Sequence, residues 1–300
     1  MAWAGIILGG GDGKRLRTLT RALTGDDRPK QFCAVVGRET LLEQTRRRAR
    51  LLIPHERLLT VVTRKHERYF RPALVDAAPG TVVVQPEARG TAIAVLYALL
   101  RLEALGSTSA VAVLPSDHYV SDDGVFMTHV LSAFKIVQAR RDLVVVLGIV
   151  ADRPEPAYGW IQLGERILGR WPTPLFRVGR FWEKPPAVVG ERLMAHGCLW
   201  NSLVLVAHPA TLRETICRAL PELVTVFAPV AARANTSLAN ETARRAFARV
   251  APMDLSRRVL AAPSTPLAVL PVSTVRWDDL GQPARVYATR ARLRARPMSA

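Results

Sequence analysis

The chain is 300 residues long, 49% hydrophobic and 22% charged, which is enough apolar material for a sizeable core and excludes a disordered or fibrous class. Its formal charge of +17 invites a nucleic-acid partner, yet only five of its 42 basic residues are lysines, a skew toward arginine that reads as a compositional habit. The densest basic clusters, Arg46-Arg47-Arg48 and Arg290 to Arg296, are not interleaved with aromatics, so a solvated helix face explains them more cheaply than a single-strand-binding surface, and the charge is compatible with a phosphate-rich ligand.

Trp3 to Leu8 is a short apolar run stopped by glycines, the pattern of a buried first strand. It runs into Gly9-Gly10-Gly11-Asp12-Gly13-Lys14-Arg15-Leu16, a backbone free to approach an anion closely with its N–H groups. The stretch is not a P-loop, because Arg15 stands where a Ser or Thr is needed, and Leu16 breaks a dinucleotide fingerprint. A second basic element, Arg28-Pro29-Lys30-Gln31-Phe32, lies close behind. Ala34 to Gly37 reads as a short strand with a turn. Thr40 and Glu43 are spaced as a capping box before a helix reaching Leu52.

Leu58 to Thr63 is a strand, Glu67 to Ala77 a helix, and Thr81 to Val84 a strand ending in Gln85-Pro86-Glu87-Ala88-Arg89-Gly90-Thr91. A buried helix spans Thr91 to Leu105. The near-continuous apolar run Ser109 to Leu114 suits an interior parallel strand and stops at Pro115-Ser116-Asp117-His118. Strands alternating with helices predict a doubly wound, mostly parallel Rossmann-like α/β sheet, with ligands at the C-terminal strand ends. The glycine loop, the segment 85–91 and Asp117 therefore share one cleft in this reading.

Val125 to Gln138 is a helix and Leu143 to Val150 a strand. From Pro154 to Ala207 short β segments and loops follow, carrying Tyr158-Gly159-Trp160-Ile161, Phe181-Trp182-Glu183-Lys184-Pro185 and Leu199-Trp200-Asn201-Ser202, a small inserted region with the groups that hold a polyol. Leu203 to Ala207 is a strand, residues 209–248 are mostly helical, and Leu267 to Leu270 and Thr274 to Trp277 are short strands, the last ending at Asp278-Asp279-Leu280-Gly281. Cys33, Cys198 and Cys217 form no framework, which points to a reducing, cytoplasmic compartment without disulfides. No signal peptide or apolar run of membrane length is present, and His66-Glu67 lacks the second histidine of a zinc helix, Phe70 standing there.

Taken in order, G-G-G-D-G-K-R-L, R-P-K-Q-F, Q-P-E-A-R-G-T-A, L-P-S-D-H-Y-V, Y-G-W-I, F-W-E-K-P, W-N-S and W-D-D-L-G resemble the sugar-1-phosphate nucleotidyltransferases, and most of all the mannose-1-phosphate guanylyltransferases. The resemblance implies a single nucleotidyltransferase domain over 1–300, with a nucleotide-binding half (1–150), a sugar-binding and metal-completing half (151–285) and a basic C-terminal tail (286–300). It implies Mg²⁺-dependent transfer from a nucleoside triphosphate, GTP preferred, to a sugar 1-phosphate, mannose 1-phosphate preferred. Arg15, Lys30 and Lys184 take the catalytic roles. Leu8, Gly9, Gly10, Gly11, Gly13, Gln85, Gly90 and Thr91 bind the nucleotide; Gly159, Glu183 and Asn201 bind the sugar; Asp117 and Asp279 bind metal, with Asp278 adjacent. Partners are small molecules, with neither nucleic acid nor membrane, and a homodimer is compatible with the resemblance. The sequence departs from the family at Thr18, where proline is common, and at Leu203, where glycine is common, which bears on the sugar more than on the reaction. The alternatives are the same reaction with another nucleoside triphosphate and hexose 1-phosphate pair, or a non-catalytic nucleotide-sugar-binding regulatory relative.

Overall fold

Residues 3–171, 173–262 and 267–295 are described by the computed structural model. Its centre is a nine-stranded sheet, made in chain order by β1 (Ala4–Leu8), β2 (Leu58–Thr63), β3 (Val82–Gln85), β4 (Val111–Pro115), β6 (Val144–Val150), β7 (Gly159–Ile167), β8 (Leu175–Glu183), β9 (Leu199–Ala207) and β10 (Leu267–Val272). The spatial order is β3-β2-β1-β4-β9-β6-β10-β8-β7. β1 to β4 pair in parallel, as do β6 and β10. Only β8 and β9 run against the rest, so the mostly parallel sheet is present. The polyol-type segment 154–207 is not set apart, because β7 and β8 form one edge of the same sheet and β9 enters its middle.

Alternation along the strands divides the core into two layers. Ile6, Val111 and Val113 face one, with α4 (Thr91–Ala104), α7 (Pro209–Ala219), α8 (Glu222–Ala232) and α9 (Ala239–Ala248) packed over them. Ile7, Ala112 and Leu114 face the other, covered by α2 (Leu41–Arg50), α3 (Glu67–Ala73) and α5 (Asp123–Ala139). Helices on both faces are what a doubly wound sheet requires. A smaller cluster joins Leu16 and Leu19, the latter on α1 (Arg17–Thr24), to Cys33, Val35 and Val36, and to Leu280 and Val286 near the chain's end.

Helix α2 begins as its spacing requires: Thr40 Oγ1 accepts from the Glu43 N–H at 3.2 Å while Glu43 accepts from the Thr40 N–H at 2.7 Å. Several expected elements differ. Ala34 to Gly37 forms no strand; Val35 and Val36 are buried in the small cluster, with no strand to pair with, and Gly37 turns at φ +78°. Helix α3 ends at Ala73, one residue after Pro72, whose ring supplies no N–H to continue it. Helix α6 (Ala187–Ala195) stands where only β segments and loops were expected. Its Gly190 weakens the helical signal, and Leu193 is buried in the second layer.

The expected strand Thr274 to Trp277 shrinks to β11 (Trp277–Asp278), paired antiparallel with β5 (Tyr119–Val120), Asp278 opposite Tyr119. That two-residue ladder carries the W-D-D-L-G segment to the end of β4. Residues 283–294, the greater part of which was expected in a basic tail, form helix α10 (Pro283–Arg294) with Arg285, Val286 and Thr289 buried; residues 296–300 lie outside the described set. No helix among the described residues is long and apolar enough to cross a membrane.

Candidate active site

The glycine loop leaves β1 at Leu8 and is held from behind. Gln31 Nε2 donates to the Gly9 and Gly11 carbonyls at 2.9 and 2.7 Å, and Thr63 Oγ1 donates to the Gly10 carbonyl at 3.0 Å. With those carbonyls engaged, the backbone groups the loop can offer a ligand are N–H groups, which suit an anion. Two glycines are required by contact. A Cβ on Gly10 would lie 2.7 Å from Gln85 Nε2 and 2.8 Å from Thr63 Oγ1, and one on Gly13, at φ +59°, 3.0 Å from the Lys30 nitrogen. Lys14 and Arg15 follow, both exposed, and form no ion pair among the described residues.

The loop forms one wall of a cavity of about 410 Å³ at the C-terminal ends of β1, β3 and β4. Of the residues expected to bind nucleotide, metal or the reacting phosphates, Leu8, Gly10, Gly11, Gly13, Arg15, Lys30, Gln85, Gly90, Thr91, Asp117 and Asp279 line it. Gly9 lies behind the loop, its N–H on the Val61 carbonyl at 2.7 Å.

Lys30 lies against the loop and lines the same cavity. It is 7% exposed, and its ammonium pairs with Asp117 Oδ2 at 3.1 Å while donating to the carbonyls of Asp279 and, at 3.3 Å, Leu280. Burial pushes the Asp117 carboxyl up, but Lys30 above all, with His118, outweighs it and holds the group below the ordinary range. Burial likewise keeps the His118 imidazole below its usual value despite Asp117. The His118 ring lines the cavity and packs edge-on against Trp277 with centroids 5.0 Å apart.

The two adjacent aspartates go different ways. Asp278 is buried, takes the Leu280 N–H at 2.7 Å and pairs with Arg153 at 3.1 Å. Asp279 lines the cavity, its Oδ1 accepting from the Gly281 N–H at 2.7 Å and from Arg285 Nη2 at 2.6 Å. Among the described residues no group of three or more Asp, Glu, His or Cys side chains could hold a metal alone. Two carboxylates nevertheless fit magnesium's habit of taking one or two protein oxygens and completing its shell from substrate phosphates.

On the base side, Gln85 is 2% exposed and its Oε1 has no hydrogen-bond partner among the described residues. A buried acceptor left unpaired costs about 1–3 kcal/mol unless a ligand or water donor meets it. Gly90 lines the cavity and is also crowded by its own chain. At φ +86° its Cβ would lie 2.2 Å from the Met253 carbonyl oxygen, while Thr91 Oγ1 accepts from the Leu255 N–H at 2.8 Å.

The expected sugar group assembles beside this cavity, outside its lining. Gly159 pairs with Glu183 across β7 and β8, and a Cβ on it would lie 2.9 Å from Glu183 Oε2 and 3.3 Å from Asn201 Cβ. Lys184 forms an ion pair with Glu183 at φ +52°. The Asn201 amide is engaged within the protein, with Oδ1 on the Leu203 N–H at 3.0 Å and Nδ2 on Ser256 Oγ at 3.2 Å. Leu203 itself sits at φ +57° and lines the cavity. It lies within a register shift between β6 and β9, where Ser202 Oγ donates to the Leu147 carbonyl at 2.6 Å.

Sequence reasoning assigned no role to Gln31, Lys14 or Arg285. Gln31 and Lys14 were within quoted motifs, so the signal was present; Arg285 offered none, because only the fold brings α10 to Asp279.

A glycine cradle closing a strand, with a lysine and two carboxylates at the carboxyl edge of a doubly wound sheet, defines an α/β protein whose cleft suits an anionic ligand. The chain belongs to the nucleotidyl transferase family, whose model matches residues 4–295. It is 34% identical over 201 residues to the alginate biosynthesis protein AlgA of Pseudomonas aeruginosa, covering 66% of this chain and 40% of that protein. It is 31% identical to a mannose-1-phosphate guanylyltransferase of Klebsiella pneumoniae over 66% of this chain and 41% of that one. The chain thus spans about two fifths of the length of these relatives. Among solved structures, one described as mannose-1-phosphate geranyltransferase from Thermus thermophilus superposes with a TM-score of 0.79 at 30% identity, over 96% of this chain and 80% of that one.

Proposed function

We propose that the chain transfers a nucleotidyl group from a nucleoside triphosphate to a sugar 1-phosphate, giving a nucleotide sugar and pyrophosphate, with GTP and mannose 1-phosphate as the preferred pair. The observation that carries this is Lys30, an ammonium between Asp117 and the Asp279 and Leu280 carbonyls, in one cavity with the glycine loop. The guanylyl and mannose assignment draws its support from relatives bearing those names at about 30% identity.

In this reading an oxygen of the sugar 1-phosphate attacks the α-phosphorus, and the bond from that phosphorus to the β-phosphate bridging oxygen breaks, its electron pair leaving with pyrophosphate. The protein forms no covalent bond; positioning and charge neutralisation carry the step. Loop N–H groups with Lys14 and Arg15 bind the triphosphate and the leaving pyrophosphate. Lys30 meets the attacked phosphate, and Lys184 the sugar phosphate. Gln85 Oε1 accepts from a base-edge donor. Glu183 and the Gly159 backbone hold sugar hydroxyls, and Asn201 orients the Leu203 segment beside them. Mg²⁺ on Asp117 and Asp279 would neutralise phosphate charge.

Pyrophosphate release by purified protein, measured with Mg²⁺ across a grid of nucleoside triphosphates and sugar 1-phosphates, tests the proposal. Turnover highest with GTP and mannose 1-phosphate is expected. No turnover with any pair refutes the enzymatic reading, and a preference for UTP or dTTP refutes the guanylyl assignment alone.

A further inference from the structure

We propose that Arg285, on helix α10, is a positioning residue that holds the Asp279 carboxylate for the divalent cation accompanying the substrate phosphates, and so sets the affinity for that cation. The inference rests on the reading of Asp279 as a cation ligand.

The guanidinium is 8% exposed and faces three acids at once: Nη2 lies 2.6 Å from Asp279 Oδ1, Nη1 3.4 Å from Glu155 Oε2 and Nε 3.6 Å from Asp278 Oδ1. Its carbon stands 4.7 Å over the Tyr158 ring. The fork is fixed by its own helix, where Val286 and Thr289 are buried. Two donors, Arg285 and the Gly281 N–H, meet on the same oxygen of Asp279. A carboxylate whose rotation is already fixed loses little side-chain freedom when it takes a ligand, which is how a preorganised group gains affinity.

Charge alone argues the other way. A second cation beside Asp279 repels a divalent ion, so a purely Coulombic role predicts tighter metal binding once Arg285 is removed. The geometry decides against that. Without Arg285, Glu155, Asp278 and Asp279 lose the one guanidinium that faces all three among the described residues; Arg153 contacts Glu155 and Asp278 but has no ion pair with Asp279 among those residues, and Lys30 meets Asp279 at its backbone carbonyl. The mutual repulsion of the three acids then drives Asp279, on the cavity side, out of position. Partners that orient metal ligands typically change metal affinity by about 10- to 100-fold when removed.

The test uses the full chain and Mn²⁺ as the probe, with binding followed without turnover by water-proton relaxation in the presence of nucleoside triphosphate alone, which separates protein-bound Mn²⁺ from the free nucleotide complex. Arg285→Gln is expected to weaken Mn²⁺ binding about tenfold. Arg285→Lys restores part of it, because a point charge keeps the pairing with Asp279 but not the three-way fork. Arg153→Gln leaves Mn²⁺ affinity at the wild-type value. Unchanged or tighter binding in Arg285→Gln overturns the proposal, as does an equal loss in Arg153→Gln, which would make the whole cluster merely structural. If Arg285→Gln does not fold, Arg285→Lys decides: binding weakened a few-fold supports positioning, and wild-type binding refutes it. Asp279→Asn separates the two readings, since wild-type Mn²⁺ affinity there removes the assignment of Asp279 as a ligand on which the proposal stands.

Discussion

Gly90→Ala separates two reasons for a glycine at the start of α4: close approach of a base, as the motif suggests, or close approach of the chain itself. At φ +86° and ψ 170° the residue occupies a region that only glycine adopts freely, and entry of an alanine there costs about 1–3 kcal/mol. The new Cβ would also stand 2.2 Å from the Met253 carbonyl oxygen and 2.6 Å from its carbon, so the 253–255 segment must move. Three bonds hold that segment: Ala92 N–H to the Met253 carbonyl at 3.1 Å, Met253 N–H to the Arg89 carbonyl at 2.9 Å, and Leu255 N–H to Thr91 Oγ1 at 2.8 Å. Each is worth about 1 kcal/mol net. Loss of two or three of them with the strain sums to a destabilisation of about 3–6 kcal/mol, read as a lower urea midpoint at unchanged slope. If the glycine served ligand approach alone, stability would fall by no more than the backbone strain of about 1–3 kcal/mol, and the apparent affinity for nucleoside triphosphate would fall instead. That result would refute the packing argument.

Two further substitutions probe the cavity walls. Lys30→Met keeps the length of the side chain but leaves Asp117, three-tenths exposed, without its ammonium; turnover should fall at least about 100-fold and stability by about 1–3 kcal/mol, discounted from a fully buried pair for the water that reaches Asp117, and activity within twofold of wild type would remove Lys30 from the chemistry. Leu203→Gly removes both a side chain from the cavity wall and a strained φ of +57°; kinetics against a panel of sugar 1-phosphates should show a broader range with the apparent affinity for nucleoside triphosphate unchanged, and an unaltered sugar preference would show that Leu203 does not bound the sugar.

What was legible in the sequence was whatever rests on local chemistry. Leu58–Thr63 is a run of buried β-branched and leucine residues, and it occupies those same six positions in the sheet. The Thr40–Glu43 capping box closed as its spacing demands. The glycine loop announced itself because four glycines within five residues have few structural uses. What was hidden depends on partners distant in the chain. Val35 and Val36 look like strand residues, but their burial comes from Leu280 and Val286, far along the sequence. The neighbours that crowd Gly90 are the backbone of Met253, and those of Arg285 are acids at 155, 278 and 279. Asp278 and Asp279 could not be told apart by type or position; a two-residue ladder and the turn at Leu280, φ +47°, send one inward and one to the cavity.

The same distances bear on how the site comes into being. Lys30 reaches the Asp279 carbonyl across 249 residues, and the small cluster of Leu16, Leu19, Cys33, Val35, Leu280 and Val286 ties the helix after the glycine loop to the chain's final helix. Between them, β9 and β10 from the later half of the sequence lie beside β4 and β6 from the earlier half. The first 150 residues contain the glycine loop, Lys30, Gln85 and Asp117, yet in isolation they would expose the open edges of β4 and β6 and leave Lys30 with Asp117 but without its carbonyl partners. Closing contacts of such sequence separation costs loop entropy that only a nearly complete sheet can offset. Lys30 therefore reaches its full set of partners only when segments 249 residues apart have met, and the geometry of the cavity is a property of the finished fold, although most of the residues expected to handle phosphate stand in its first half.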